Sequence, residues 1–362
     1  MKLRELVQIL EEIAPTRYAE AWDNVGLLVG DLDQAVTRVL LAIDYTKEVA
    51  AEAEREECDG VIAYHPPIFA PIKRLNAPDL MFDAIRRGVA IYSPHTALDV
   101  APGGTNDLLA DILGLQERTP LRYVEVKARE HKLSTFVPPD SLEKVAAALF
   151  EAGAGGIGRY TRCSFRSAGT GTFMGDASTN PAIGKPGVFE ETPEIKLEML
   201  CPIARLPEVI AALRKSHPYE EPAFDLMPLA VPAQGIGQGR IGNLPATALS
   251  VLLKRIKQEL SIEHLLVAGP TDGAISRAAV LAGAGREHLK DAIAQGAQLY
   301  LTGEIPHHDA LAAAKAGMTV MATLHSNSER ASLGRLADRL SQSAAGVGFI
   351  RSKVDRDPFL VL

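Results

Sequence analysis

The chain has 362 residues, 47% of them hydrophobic and 23% charged, so it is long enough to bury large cores without disulfide or metal staples. The formal net charge of -7 at pH 7 argues against a general affinity for nucleic acid or anionic membranes, because both reward clustered Lys and Arg. The three cysteines lie far apart and form no CxxC pair, so we expect neither a disulfide framework nor a thiolate zinc site.

The N-terminal sequence MKLRELVQILEEIAP has the amphipathic pattern of a helix. It contains no apolar h-region and no small-residue cleavage site, so it does not predict a secretory leader. No apolar run approaches the ~20 residues that a membrane-spanning helix needs. We therefore expect a cytoplasmic protein without membrane contact.

Four short apolar runs, rich in β-branched residues, each end in polar residues that can bind metal. The runs end at His65, at His95 with Asp99, at Glu304, and at His325 with Glu329. Continuous apolar runs are typical of strands buried on both faces of a parallel sheet, and helix-like stretches lie between them. A fifth run of this kind spans 38–44. Ligands bind beyond the carboxyl ends of such strands, so the endings predict one shared crevice.

The middle of the chain differs, because its strands alternate polar and apolar residues. Its elements follow the order strand, helix, strand, strand, helix, strand, which is typical of a ferredoxin-like α+β unit. We therefore predict an α/β fold in which a split metal-binding domain with parallel-type strands is interrupted by a ferredoxin-like insert. The split domain is expected at 1–125 and 233–362, and the insert at 126–232.

His325 and Glu329 form the best local metal-binding pattern. Residues four apart lie on one face of a helix, and imidazole and carboxylate both bind zinc, iron or manganese. A carboxylate can also bridge two ions, which an imidazole cannot. On its own the spacing is also typical of a capped helix start with a solvated Glu.

Two further endings come from the first half of the chain. His95 and Asp99 follow a predicted strand and lie in a loop, where sites occur more often than cores, although an Asp-stabilised turn has the same pattern. His65 precedes two prolines, which hold its backbone and suit a preorganised ligand. A half-buried His that hydrogen-bonds a backbone carbonyl remains the alternative for His65.

The motifs at 304–308 and 22–23 each allow more than one role. Glu304, His307 and His308 can be ligands, partners that orient a ligand imidazole, or groups that move protons. Trp22 and Asp23 favour a turn with a packed indole over the alternative, a pocket wall. Taken together, four of the nine histidines follow predicted strand ends, which favours a metal crevice over coincidence.

The chain resembles a known family, the dinuclear-metal-centre hexameric proteins. This family is also called the GTP cyclohydrolase 1 type 2 homologues, of the Nif-three-like group. The matching stretches, in the family's order, are WDNVGLLVG at 22–30, YHPPIF at 64–69, HTALD at 95–99, LTGE at 301–304 with HHD at 307–309, and HSNSE at 325–329. The insert resembles the extra domain of the longer members, which is similar to the signal-transduction and copper-tolerance class of ferredoxin-like trimers.

The resemblance implies two divalent metal ions per subunit, of zinc, iron or manganese, in a ring-shaped homohexamer. His65 and Asp99 would hold one ion, His325 the other, and Glu329 would bridge them. This chain has Tyr64 where the family often has a first His. A phenol is a poor ligand for zinc, although it binds ferric iron, so the second ion is expected to be weaker, absent, or completed by His95 or water.

The function implied by the resemblance is metal-dependent hydrolysis of a nucleotide-like substrate such as GTP. Two ions about 3.5–4 Å apart lower the pKa of a water between them. His95, Glu304 and His308 are the residues expected to move protons. Two alternatives stay open: a non-catalytic metal store, sensor or insertion factor, and a ring-shaped interaction scaffold.

Overall fold

The computed structural model describes residues 1–124, 130–229 and 235–361. The chain divides into two compact units, the core unit (Met1–Val124 with Ala233–Leu362) and the insert (Glu125–Pro232). The predicted borders at 125/126 and 232/233 fall in stretches outside the described residues. Each unit is described by itself.

The first part of the core unit contains both helices and strands. In chain order they are α1 (Leu3–Ile13), β1 (Gly26–Val29), β2 (Arg38–Ala42), α2 (Lys47–Arg55), β3 (Gly60–Ala63), α3 (Leu80–Arg87), β4 (Ala90–Ser93), α4 (His95–Val100), α5 (Thr105–Leu113), β5 (Gln116–Thr119) and β6 (Arg122–Tyr123). The insert contains β7 (Glu130–Val137), α6 (Leu142–Glu151), β8 (Phe165–Met174), β9 (Phe189–Pro202), α7 (Leu206–Ser216) and β10 (Phe224–Pro228). The second part of the core unit contains β11 (Gly237–Gln238), β12 (Arg240–Ala248), α8 (Leu249–Leu260), β13 (Leu266–Ala268), β14 (Ala274–Ala284), α9 (Leu289–Ala294), β15 (Leu299–Glu304), α10 (His307–Lys315), β16 (Thr319–Ala322), α11 (His325–Ser343) and β17 (Gly348–Arg351).

The first sheet of the core unit has the strand order β1-β4-β3-β2-β17. Its strands β4, β3, β2 and β17 run parallel, and β1 joins the edge antiparallel. Val61 lies between Leu40 and Ile91 in register, and all three are buried. Such runs are apolar throughout because both faces of a parallel sheet are covered.

The second sheet has the order β13-β16-β15-β14-β12-β5, in which only β14, β15 and β16 are mutually parallel. Tyr300 lies between Ala279 and Val320, and all three are buried. The four polar strand endings thus come from two sheets. Their apolar patterns are alike, so the sequence does not separate the sheets.

Helix α11 joins these two sheets. It packs against β2 and β17 of the first sheet and against β14 and β15 of the second. Leu333, Leu336 and Leu340 are buried on it, with the helical spacing of one apolar face. The first turn of α11 is therefore held where strand ends from both sheets converge.

The insert is ferredoxin-like, as its element order predicts. Its antiparallel sheet has the order β10-β7-β9-β8, and α6 packs against α7. Leu133, Val145, Leu197 and Leu213 are among the fully buried residues of its own core. Across residues 1–124, 130–229 and 235–361, no helix is both long and apolar enough to span a membrane.

Candidate metal centre

Three side chains from two distant parts of the chain converge at the strand ends of the core unit. His65, His325 and Glu329 offer ligand atoms that all lie within 4.8 Å of one another. His65 follows β3, whereas His325 and Glu329 lie four apart in the first turns of α11. We call these three residues the metal triad.

Two buried atoms of the metal triad lack hydrogen-bond partners among the described residues. Nε2 of His65 lies 3.2 Å from Oε2 of Glu329, but both atoms are buried and neither has a hydrogen-bond partner in the described part of the chain. The Glu329 side chain is only 3% exposed, and Nε2 of His325 lies 3.4 Å from its other oxygen. Burying a carboxylate without hydrogen bonds is costly, and a divalent cation removes that cost. Two imidazoles and one carboxylate are a donor set that suits such an ion.

His65 is oriented by a carboxylate on the neighbouring strand. Its Nδ1–H donates to Asp44, 2.9 Å away, and Asp44 follows the end of β2. Burial of the imidazole lowers its pKa, but the hydrogen bond to Asp44 and the nearby charges of Glu329 and Asp44 outweigh burial and raise the pKa to about 10. The same bond from His65 holds the pKa of Asp44 below its ordinary value. Sequence reasoning missed Asp44, although the run 38–44 ends at it.

His325 is oriented from the second sheet. Its Nδ1 lies 3.2 Å from an oxygen of Glu304, which ends β15 and is half exposed. Of the three roles left open for Glu304, the structure shows contact with a triad imidazole. Leu324, just before His325, has φ 73°, a left-handed conformation that disfavours side chains with a Cβ.

Gly283 leaves room for the buried carboxylate. Its φ is 63°, and a Cβ built on it would lie 2.8 Å from Oε1 of Glu329. Any residue other than glycine there would meet both steric contact and backbone strain. The end of β14 can therefore approach the metal triad closely.

Asp99 lies outside the metal triad. It is buried in α4 and accepts a short hydrogen bond from the hydroxyl of Tyr64, which also lies 2.9 Å from Oγ1 of Thr105. Burial and the nearby charge of Glu329 raise the pKa of Asp99 to about 6. The resemblance led us to expect Asp99 and His65 on one ion, whereas the structure pairs Asp99 with Tyr64.

His95 borders the metal triad. Its ring centroid lies 5.3 Å from that of His65, and its Nδ1–H donates to Asp23, 2.8 Å away. Burial alone would raise the pKa of Asp23, but its hydrogen bonds from His95 and Thr96 lower it. The backbone of His95 has φ 27°, so α4 begins at a strained residue beside the site.

Trp22 is not the packed indole that we favoured from the sequence. It is 55% exposed, and its ring centroid lies 6.0 Å from that of His95 in an edge-on arrangement. The neighbouring Asp23 carboxylate points inward and is fully buried. The local sequence pattern favoured a turn at Trp22 and Asp23, but it gave no information on which surface the indole would cover.

His307 and His308 are not brought to the metal triad. Both are exposed in the first turn of α10, with their ring centroids 5.3 Å apart. Within the described part of the chain, neither has a hydrogen bond or an ion pair to a triad residue. The predicted proton-moving role of His308 therefore has no contact that supports it.

A cavity of about 970 Å³ adjoins His65 within the core unit. Asp44 and His65 form one side of it, and the C-terminal segment at 354–358 forms another. This segment is anchored: Asp355 accepts from the backbone N–H of Ile43, 2.9 Å away, and Asp357 accepts from Oγ of Ser326, 2.7 Å away. The site thus opens into a space large enough for a small molecule.

Comparison with known proteins identifies relatives along the whole chain. A GTP cyclohydrolase 1 type 2 homolog from Halalkalibacterium halodurans is 35% identical over 362 residues, covering 98% of this chain and 97% of the relative. The protein of that name from Bacillus subtilis is 34% identical over 367 residues, covering 99% and 98%.

Solved structures share the fold. The crystal structure of a Bacillus cereus protein related to NIF3 matches with a TM-score of 0.67 at 33% identity, covering 100% of this chain and 99% of that one. A Staphylococcus aureus protein matches with a TM-score of 0.79 at 28% identity and the same coverage. The model of the family described as Duf34/NIF3 (NGG1p interacting factor 3) matches residues 1–358. The chain therefore belongs to the Duf34/NIF3 family.

Proposed function

We propose that this protein is a metal-dependent hydrolase that acts on a small nucleotide-like molecule. The proposal is carried by two buried atoms, Nε2 of His65 and Oε2 of Glu329, which have no hydrogen-bond partner among the residues that the structure describes. Catalytic zinc sites use three protein ligands and leave a fourth position open. The metal triad supplies three donors, and its two imidazoles are 23% and 36% exposed. The nucleotide class comes from the name that the relatives carry.

The expected second ion is proposed at Asp99, with Glu329 shared between the two ions. The hydroxyl of Tyr64 competes for the Asp99 carboxylate. Because one oxygen of Asp99 already accepts this bond, we propose that the second ion binds more weakly than the ion in the metal triad. Zinc, iron and manganese all suit these donors.

A divalent ion in the metal triad would make water a better nucleophile at neutral pH and stabilise negative charge on an oxygen. Carboxylates of the protein determine which ring nitrogen of each histidine faces the metal triad. Asp44 holds the proton of His65 on Nδ1, and Glu304 lies beside Nδ1 of His325, so both Nε2 atoms are directed to the triad. Asp23 does the same for His95 and leaves its Nε2 to accept a proton.

Hydrolysis of a panel of nucleoside mono-, di- and triphosphates tests the proposal. Chelator-treated protein should be inactive, and zinc, ferrous iron or manganese should restore activity. Glu329→Gln keeps the shape of the side chain and should reduce kcat/KM by about a hundredfold or more. Glu263→Gln, which changes a 93% exposed side chain, is the matched control. Equal activity in the chelated and reloaded protein would refute the proposal.

A non-catalytic metal store or sensor is the second candidate. The bond between Tyr64 and Asp99 favours it, because it withholds a ligand from two-ion chemistry. Stoichiometric metal binding without turnover on any nucleotide of the panel would favour this candidate over the hydrolase. The homohexamer remains a proposal that the mass in solution tests.

A further inference from the structure

We infer that Trp22 and Phe69 form a stacking platform for the planar heteroaromatic ring of a ligand that reaches the metal triad. The inference rests on the proposed function, since it concerns the same site, and it names the part of the ligand that the metal triad does not recognise. Ring stacking is the chemistry that two adjacent exposed aromatic side chains offer.

The two rings are neighbours and both face solvent. Trp22 is 55% exposed and Phe69 is 58% exposed, and their centroids lie 6.0 Å apart at an interplanar angle of 51°. An aromatic side chain can bury about 150–250 Å² in a core or an interface, so two exposed ones in contact offer apolar area that a ligand ring can cover. A tilted pair leaves a face of each ring open to a third ring.

The platform is held in place by the residues around it. Nδ2–H of Asn24 donates to the carbonyl oxygen of Ile68, 2.5 Å away, which ties the loop of Trp22 to the loop of Phe69. On the other side of Trp22, the buried Asp23 accepts from the ring of His95 and from the backbone N–H of Thr96. Both loops are thus fixed before any ligand binds, which lowers the entropic cost of binding.

The platform leads directly to the metal triad. The ring of Trp22 lies edge-on to His95 at 6.0 Å, and the ring of His95 lies edge-on to His65 at 5.3 Å. The ring of His65 lies 5.3 Å from that of His325. His95 thus lies between the platform and the metal triad, so groups attached to a base on the platform would lie next to His95 and extend toward the metal triad.

Tryptophan fluorescence reports on this platform alone, because Trp22 is the only tryptophan in the chain. The metal-loaded protein is titrated with guanosine 5′-monophosphate and, separately, with ribose 5-phosphate, which lacks the base. We expect saturable quenching with the nucleotide and none with the sugar phosphate. Phe69→Leu should raise the apparent Kd by about tenfold. Phe189→Leu changes a 61% exposed Phe of the insert and should leave the Kd unchanged.

Elemental analysis of each sample separates the two proposals. Bound metal without quenching by the nucleotide would overturn the platform and leave the metal proposal intact. Saturable quenching of a protein that binds no metal would overturn the proposed function and retain the platform. Equal quenching by the nucleotide and the sugar phosphate would overturn the platform, because it would show that the base is not recognised. If Phe69→Leu lowers the mass in solution and Trp22 emission depends on protein concentration, the rings join two copies of the chain, and the ligand inference is wrong.

Discussion

The hydroxyl of Tyr64 donates a hydrogen bond to the carboxylate of Asp99, and both side chains are buried. This bond occupies a carboxylate that would otherwise be available to a cation beside Glu329. In the two-ion proposal, a neutral phenol thus lies beside the carboxylate that would hold the second ion. Under the proposed function, the number of metal ions bound per chain therefore depends on Tyr64.

Tyr64→His should raise the metal content from about one ion to about two ions per chain, because an imidazole replaces the phenol and Asp99 becomes available. Elemental analysis of the dialysed protein measures the change. Tyr64→Phe is the matched control, since it releases Asp99 without adding a ligand. Two tightly bound ions in the unaltered protein would show that Tyr64 does not block the second position.

Asp44→Asn should weaken metal binding by about 10–100-fold, because the amide no longer fixes the proton of His65 on Nδ1 as a carboxylate does. Competition with a fluorescent chelator gives the affinity. Asp225→Asn makes the same change at an exposed position of the insert and should have no effect. An unchanged affinity in Asp44→Asn would mean that His65 is oriented by its backbone alone.

Arg240→Met should destabilise the core unit by about 3–5 kcal/mol, because Arg240 is 3% exposed and its loss leaves Asp107 buried without its main partner. Arg240 also donates to the carbonyl oxygens of Gly237 and Gly239, both 2.7 Å away. Chemical denaturation measures the difference. Arg166→Met, at an exposed ion pair with Glu143, should change stability by less than about 1 kcal/mol. A similar loss in both variants would refute the buried pair as the cause.

The same pair predicts a dependence of stability on acid. Burial alone would raise the pKa of Asp107, but the charge of Arg240 and its hydrogen bond outweigh burial and lower it. The contribution of a group with a lowered pKa is complete above its unfolded pKa of about 3.9 and is lost as the pH falls through the folded value. The denaturant concentration at the unfolding midpoint should therefore decrease as the pH falls below about 4. The decrease should be less steep in Arg240→Met. An equally steep fall in both proteins would contradict this account.

The sequence predicted most of the strands that carry the site. Continuous apolar runs identified β3, β4, β15 and β16, because a strand covered on both faces must be apolar along its whole length. The spacing of His325 and Glu329 predicted their common helical face, since that relationship is local. The order of elements predicted the ferredoxin-like insert, because the type of each element is visible in its local pattern of polar and apolar residues.

The remaining features depend on contacts between distant segments. The runs that become β3 and β15 look alike, so their pattern does not place them in different sheets. The bond of Tyr64 with Asp99 joins positions that lie 35 residues apart, and no local pattern encodes it. The exposure of Trp22 also depends on the loop of Phe69, which comes from another part of the chain.

The metal content of the purified protein tests the central claim most directly. Elemental analysis should find at least about one divalent ion per chain in the unaltered protein and in His264→Ala, which changes an exposed imidazole outside the metal triad. His325→Ala and Glu329→Ala should lose most of the ion and keep their fold by circular dichroism, because the apolar cores do not include these side chains. Full metal occupancy in His325→Ala and Glu329→Ala would contradict the assignment of the metal triad.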